Sequence, residues 1–284
     1  MNLISRAALL RCLPFVACGL ALLTGCGQRH EISGHDPKYA ITTSWLECAL
    51  KDVTSSTMQV IRLCSPGTCP GHFDISPGNI KGLQASEALV LFDFQKALDQ
   101  KLERLTVNGL RVVSIHAPEG LCVPDSYLEA CRELSDSLMK GATGQNALPP
   151  ALEQTRKRLE ALETNIRGRI HVAGLGQAKV VASGHQAVFC RWLGLDVIAA
   201  YSGGEAATPA QLEKLIKQGK DAGVRFVIAN LQEGKQAGEA LAWQLGARLV
   251  TFSNFPSMQP EQDTFDELLE YNLQQLLAAA GASS

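Results

Sequence analysis

From Tyr39 onward, short apolar runs alternate with segments whose apolar residues recur at helical spacing. The runs at Tyr39–Trp45, Met58–Cys64, Ala88–Phe94 and Arg111–His116 predict four strands, and those at Lys179–Ser183, Asp196–Tyr201, Arg225–Asn230 and Arg248–Phe252 predict four more. Near-continuous apolar strands separated by helical segments indicate parallel sheets covered on both faces. The predicted class is α/β, with two lobes, each a four-stranded, mainly parallel sheet flanked by helices. Midway between the two strand sets, Pro149 and Pro150 open a segment in which Leu152, Leu159, Leu162 and Ile166 share one helical face, and Gly168 closes it. Periodicity alone fits an ordinary surface helix equally well; its central place favours a connecting helix over residues 148–168. That division gives an N-terminal lobe at 39–147 and a C-terminal lobe at 169–284. A last helix is expected over Asp263–Ala280, with Phe265, Leu268, Leu269, Leu273, Leu276 and Leu277 as its apolar stripe.

The first 38 residues break this rhythm. Residues 1–25 read as a signal peptide of the lipoprotein kind: Arg6 and Arg11 are its charges, Leu13–Leu23 is mostly apolar, and Leu23-Thr24-Gly25-Cys26 matches a lipobox. The apolar run is short for a membrane span, and an ordinary signal peptide or an uncleaved anchor would leave that residue order to coincidence. Cys26 is then the lipidation site, residues 26–38 a polar tether, and the protein a lipid-anchored, extracytoplasmic resident of a bacterial envelope, held at the membrane through the lipid. Gly27 gives no argument for retention in the inner membrane.

What remains, about 260 residues, suffices for one large or two modest domains. A net charge of −2 on the full chain is too mild to call for nucleic acid, so the expected partner is small and the chain a monomer. Of nine cysteines, Cys48, Cys64, Cys69, Cys122, Cys131 and Cys190 lie beyond the lipobox, in a compartment that permits disulfides.

Open α/β sheets bind ligands in the crevice at the carboxyl ends of their strands. The chemistry-bearing residues fall there. The loop after strand two carries Cys64, Cys69, His72 and Asp74 among prolines and glycines that preclude a helix or central strand. Cys69-Pro-Gly-His72 has a spacing that lets a thiolate and an imidazole reach one zinc-like ion. The competing reading is a Cys64–Cys69 disulfide, and a weaker one is thiol exchange by that pair. His116 and Cys122 follow strand four, and His185 follows strand five behind a turn-permitting Gly184. Asn230 and Gln232 follow strand seven, and Asn254 follows strand eight. Cys131 and Cys190 sit on apolar helical faces and read as core. No Gly-x-Ser-x-Gly elbow, Walker loop or dinucleotide fingerprint occurs, so no enzymatic activity is expected.

The segment Pro70-Gly-His-Phe73-Asp74-Ile-Ser-Pro77, followed by Leu83-Gln-Ala-Ser-Glu-Ala-Leu89, resembles the Pro-His-x-Tyr-Glu-x-x-Pro stretch of the zinc/manganese solute-binding lipoproteins of ABC importers. Ser183-Gly-His185-Gln-Ala-Val-Phe189 with Trp192-Leu-Gly194-Leu, and Thr208-Pro-Ala-Gln-Leu212, resemble further segments of that family. The likeness spans roughly 39–256 and implies capture of a transition-metal ion, zinc first, in an interlobe cleft, with an ABC permease and its ATPase as partners. Of the family's ligand positions His185 alone carries over. Glu119 or Gly120 stands where a second histidine is implied, Asn230 at an acidic position, and Ser253 or Asn254 at an aspartate. A compensating set of Cys69, His72, Cys122 and His185 is the metal site this reading yields, with Asp74, His116, Asn230, Gln232 and Asn254 as further cleft candidates. Two alternatives remain open: a binding protein for a metal chelate or small organic solute, or an envelope thiol/disulfide protein using Cys64 and Cys69.

Overall fold

The computed structural model describes residues 39–54, 59–66, 75–98, 110–139, 150–202 and 208–281. Two four-stranded sheets are present, all of their strand pairs parallel. The first contains β1 (Tyr39–Ile41), β2 (Val60–Arg62), β3 (Ala88–Phe92) and β4 (Arg111–Ile115) in the order β2-β1-β3-β4. The second contains β5 (Lys179–Ser183), β6 (Asp196–Tyr201), β7 (Phe226–Asn230) and β8 (Arg248–Phe252) in the order β6-β5-β7-β8. Helices flank them: α1 (Ser44–Thr54), α2 (Pro77–Ala85), α3 (Pro124–Met139), α4 (Pro150–Val172), α5 (Gly184–Trp192), α6 (Pro209–Ala222), α7 (Gln236–Leu245) and α8 (Phe265–Ala280).

The two-residue period of a strand divides each sheet between two cores. Ile41, Val90 and Phe92 face one way, and Ala40, Leu89 and Leu91 the other. In the second sheet Val180, Ala182, Phe226 and Ile228 oppose Val181 and Val227 in the same manner. The first-named residues of both sheets belong to a single apolar cluster that runs through both lobes. Central β3 and β7 are buried along their whole length, as apolar strands covered on both faces require.

Trp45 sits where the lobes meet. Its ring lies 5.4 Å from Phe92, 5.0 Å from Tyr127 and 6.5 Å from Phe265 of α8, and its indole N–H donates to the Leu121 carbonyl at 2.8 Å. Ser44 Oγ donates to the Pro256 carbonyl at 2.8 Å, and Cys48 Sγ to that of Asp263 at 3.2 Å. Helix α4 packs on α1 and α3 in one lobe and α8 in the other, with Leu152, Leu159, Ile166 and Ile170 buried. Its Arg158 holds Asp52 of α1 through two bonds of 3.0 and 2.7 Å and Asp266 of α8 at 3.2 Å.

Several boundaries differ from the sequence-based expectation, and three of them have a local cause. The first strand stops at Ile41 rather than Trp45, because Thr43 accepts from Leu46 N–H through its hydroxyl and from Glu47 N–H through its carbonyl, starting α1. The third stops at Phe92, where a 3₁₀ turn over Asp93–Leu98 begins and Gln95 Oε1 takes the Phe92 N–H at 3.0 Å. Gly168 does not close α4. The helix runs to Val172 and ends at Gly174, whose φ of 62° and the Leu175 N–H bond to the Ile170 carbonyl make the C-terminal turn.

Candidate functional site

A cavity of about 700 Å³ opens at the carboxyl ends of the strands, between the lobes. The N-terminal lobe contributes Phe94 after β3 and residues 117–121 after β4. The C-terminal lobe contributes one face of α5, the turn after β7 and the loop after β8. Gly120 sets the spacing between the two walls: its φ is +76°, and a Cβ there would stand 2.8 Å from Val188 Cγ1 and 2.9 Å from Val123 Cγ2. A side chain at 120 is thus excluded both by backbone conformation and by contact with α5.

Strand β5 runs directly into α5 at Gly184, which places His185 in the first helical turn and in the cavity wall. After β7 the chain makes one 3₁₀ turn, Leu231–Glu233, ended by Gly234 at φ 82°. That turn carries Glu233 back toward α5. Its Oε1 lies 3.6 Å from His185 Nε2, while its Oε2 accepts a 2.5 Å bond from Ser183 Oγ. Ser183 occupies the N-cap position of α5 but makes no side-chain cap bond, its hydroxyl being directed to Glu233. The Glu233 carboxylate therefore sits at the positive end of the helix, a favourable place for negative charge. The Glu233 side chain is 13% exposed and that of His185 67%, so the imidazole projects into the cavity from a carboxylate held in its wall.

Beneath them is a web of amides. Gln186 Nε2 donates to Asn254 Oδ1 at 2.9 Å and to Asn230 Oδ1 at 3.3 Å. Gln232 Oε1 accepts from Asn254 N–H and its Nε2 donates to Ser253 Oγ, both at 2.9 Å. Asn230, Gln232 and Asn254 line the cavity, and Gln232 commits both amide atoms to fixing the ends of β7 and β8.

The remaining expected residues are placed differently. Cys122 is fully buried and lies outside the cavity lining; its Sγ donates to the Ser253 carbonyl at 3.1 Å and accepts from Asn272 Nδ2 at 3.6 Å. Burial pushes its thiol strongly upward, only partly countered by the Asn272 bond, so it stays protonated where a metal ligand would be a thiolate. The cause is a turn: Val123 N–H bonds back to the Gly120 carbonyl, and the Cys122 side chain tucks into the core. His116 also stands apart from the lining, its exposed ring paired through Nδ1 with Asp93 Oδ2 at 2.7 Å. The bond to Asp93 raises the His116 pKa. Asp93 is held below the usual range: slight burial opposes this, and the bonds from His116 and Ala117 N–H outweigh it. Cys69, His72, Asp74 and Cys26 lie outside the described residues. Among the described residues, no group of three or more His, Cys, Asp or Glu side chains is arranged to hold a metal ion, and no helix is long and apolar enough to cross a membrane.

Glu233 was not among the candidates read from sequence. The signal present was a carboxylate three residues beyond an expected acidic position, and only the 3₁₀ turn brings it to His185. Glu119, standing where a second histidine was implied, lines the opposite wall.

Comparison with known proteins bears on this geometry. Residues 143–279 match the family model of ZnuA, the periplasmic component A of a zinc-uptake complex. No curated protein matches the chain by sequence. Among solved structures, a zinc-bound deletion mutant of ZnuA superposes with a TM-score of 0.66 at 16% identity, covering 87% of this chain and 98% of that one. The solute-binding protein FpvC from Pseudomonas aeruginosa in complex with Mn²⁺ gives 0.67 at 18% identity, covering 87% and 99%. A Mn-bound periplasmic metal-binding protein from Candidatus Liberibacter asiaticus gives 0.66 at 12% identity, covering 85% and 98%. The second half of the chain is thus similar to that family model, and its two-lobe fold is shared along nearly the whole length of these structures.

Proposed function

We propose that this protein, lipid-anchored through Cys26 outside the cytoplasm, captures a transition-metal cargo in the interlobe cavity and delivers it to an ABC permease and its ATPase. The observation that carries this is the His185–Glu233 pair, an imidazole nitrogen and a carboxylate oxygen 3.6 Å apart in the cavity wall. Two donors about 2.0–2.2 Å from a common zinc ion stand at such a separation. Nitrogen and oxygen donors suit zinc, and they also suit manganese and nickel, the ions bound by the two forms of FpvC. Zinc is the first cargo in this reading, with Cys69 and His72, which follow β2 in sequence, as the proposed further ligands of a bare ion. The buried thiol of Cys122 no longer belongs to the set.

Both described ligands come from the C-terminal lobe, so that lobe grips the cargo while residues 117–121 and Phe94 cover it. Release by loop displacement costs less than separating the lobes, which would expose Trp45, Tyr127 and Phe265 to water. A thermal-shift screen of the untagged protein against zinc, manganese, nickel, calcium and magnesium tests the reading. Stabilisation by transition ions and not by calcium or magnesium is expected; no stabilisation by any of them would refute it.

A further inference from the structure

The cavity is far larger than one ion requires. A coordinated ion needs its donors at roughly 2 Å and little else, whereas volumes of about 300–1,000 Å³ belong to pockets for small organic molecules. This one, at about 700 Å³, is also walled by apolar side chains: Phe94, Leu121, Val188 and Phe255. Phe94 is 51% exposed, its ring stacked on Phe92 at 5.5 Å and its outer surface left to the cavity. Such a wall offers a hydrated ion nothing and offers the carbon skeleton of a ligand a surface to displace water from.

The second unexplained feature is Arg191. It lies on the cavity-lining face of α5, in line with Gly184 and Val188 at helical spacing, and its guanidinium forms no hydrogen bond or ion pair with another described residue. It stands six positions beyond His185, a rise of about 9 Å along the helix. A guanidinium in the wall of a site for a bare cation is repulsive, while the same group is the best-suited side chain for a carboxylate.

We propose that the cargo of this cavity is a metal chelate with an anionic arm, its metal held by His185 and Glu233, its organic body against Phe94 and Val188, and its carboxylate bound by Arg191. This rests on the transition-metal reading above and names the form in which the metal arrives. The chelator must leave at least two coordination positions open, since His185 and Glu233 fill them without stripping the ion.

Nickel nitrilotriacetate meets these terms: it carries net negative charge, and the tetradentate chelator leaves two positions of an octahedral ion free. Untagged full-length protein is titrated by calorimetry with nickel alone, with nickel nitrilotriacetate and with nitrilotriacetate alone, and Arg191→Gln and Arg191→Lys are treated alike. The chelate is expected to bind as a ternary complex at one per chain, and the chelator alone not to bind. Arg191→Gln should weaken the chelate about tenfold more than the bare ion, and Arg191→Lys should recover part of that loss. Equal effects of Arg191→Gln on both ligands, or nickel stripped from the chelator, would overturn the proposal. Should bare nickel bind while the chelate does not, the metal-cargo reading stands and this inference falls; should neither bind, both fall.

Discussion

His185 Nε2 stands 3.6 Å from Glu233 Oε1, and the other oxygen of that carboxylate is fixed by Ser183, the residue that ends β5. The pair is thus built from the ends of two adjacent strands, β5 and β7, whose register pairs Ala182 with Ile228. Sheet register sets the two strand ends side by side, and the 3₁₀ turn after β7 then carries the carboxylate back to the imidazole.

If Glu233 supplies a ligand, Glu233→Gln should weaken transition-metal binding by about ten- to a hundredfold, because the amide keeps the shape and loses the charge. Competition against a fluorescent chelator measures this. Affinity within twofold of the unaltered protein would remove Glu233 from the site.

Gly120 should tolerate no side chain. Gly120→Val forces a β-branched residue into φ +76° and into Val188, with an expected loss of about 1–3 kcal/mol in chemical denaturation. An unchanged midpoint would show that the lobes do not approach at Gly120 as described.

The core that crosses the lobes predicts a single unfolding transition. Phe265→Ala removes a ring stacked on Tyr127 at 3.8 Å and edge-on to Trp45, and should cost about 3–5 kcal/mol while keeping one cooperative transition. Two separated calorimetric transitions in the unaltered protein would contradict the shared core.

The Asp93–His116 pair gives a pH signature. The His116 pKa is raised above its ordinary 6.5, so its contribution is fully present below 6.5 and fades as pH rises through the folded value; that of Asp93 is lowered below 3.8, so its contribution is present above 3.8 and fades as pH falls through the folded value. The window between about pH 4 and 6.5 is where the pair helps, modestly, since both side chains are solvent-exposed. Asp93→Asn should therefore lower the melting temperature more at pH 5.5 than at pH 8.5; an equal or opposite difference would refute the assignment.

Much of the fold was legible in the chain. β5, β6 and β8 occupy the residues their apolar runs marked, since a short apolar run between breakers suffices to mark a strand of a helix-covered parallel sheet, buried as β5 is or partly exposed at the edge as β6 and β8 are. In the first lobe the runs were too long a guide, because Trp45 and Phe94 are apolar for reasons other than strand pairing: one fills the seam between lobes from a helix, the other faces the cavity from a 3₁₀ turn. The proposed site was half legible. His185 could be found because it follows a strand at a glycine turn. Glu233 could not, because which way a three-residue turn aims its last side chain depends on Gly234 and on the Ser183 hydroxyl, contacts remote in sequence. Cys122 misled for the converse reason: its position after β4 placed it at the cleft, while the turn to Gly120 directs its sulfur into the core.

The most direct test of the central claim is zinc content by elemental analysis after equilibrium dialysis, compared between the unaltered protein and the His185→Ala/Glu233→Gln double variant. The account predicts close to one zinc per chain in the first and a small fraction of that in the second, with the variant's melting temperature in the metal-free state little changed. Equal zinc in both proteins, or none in either, would contradict it.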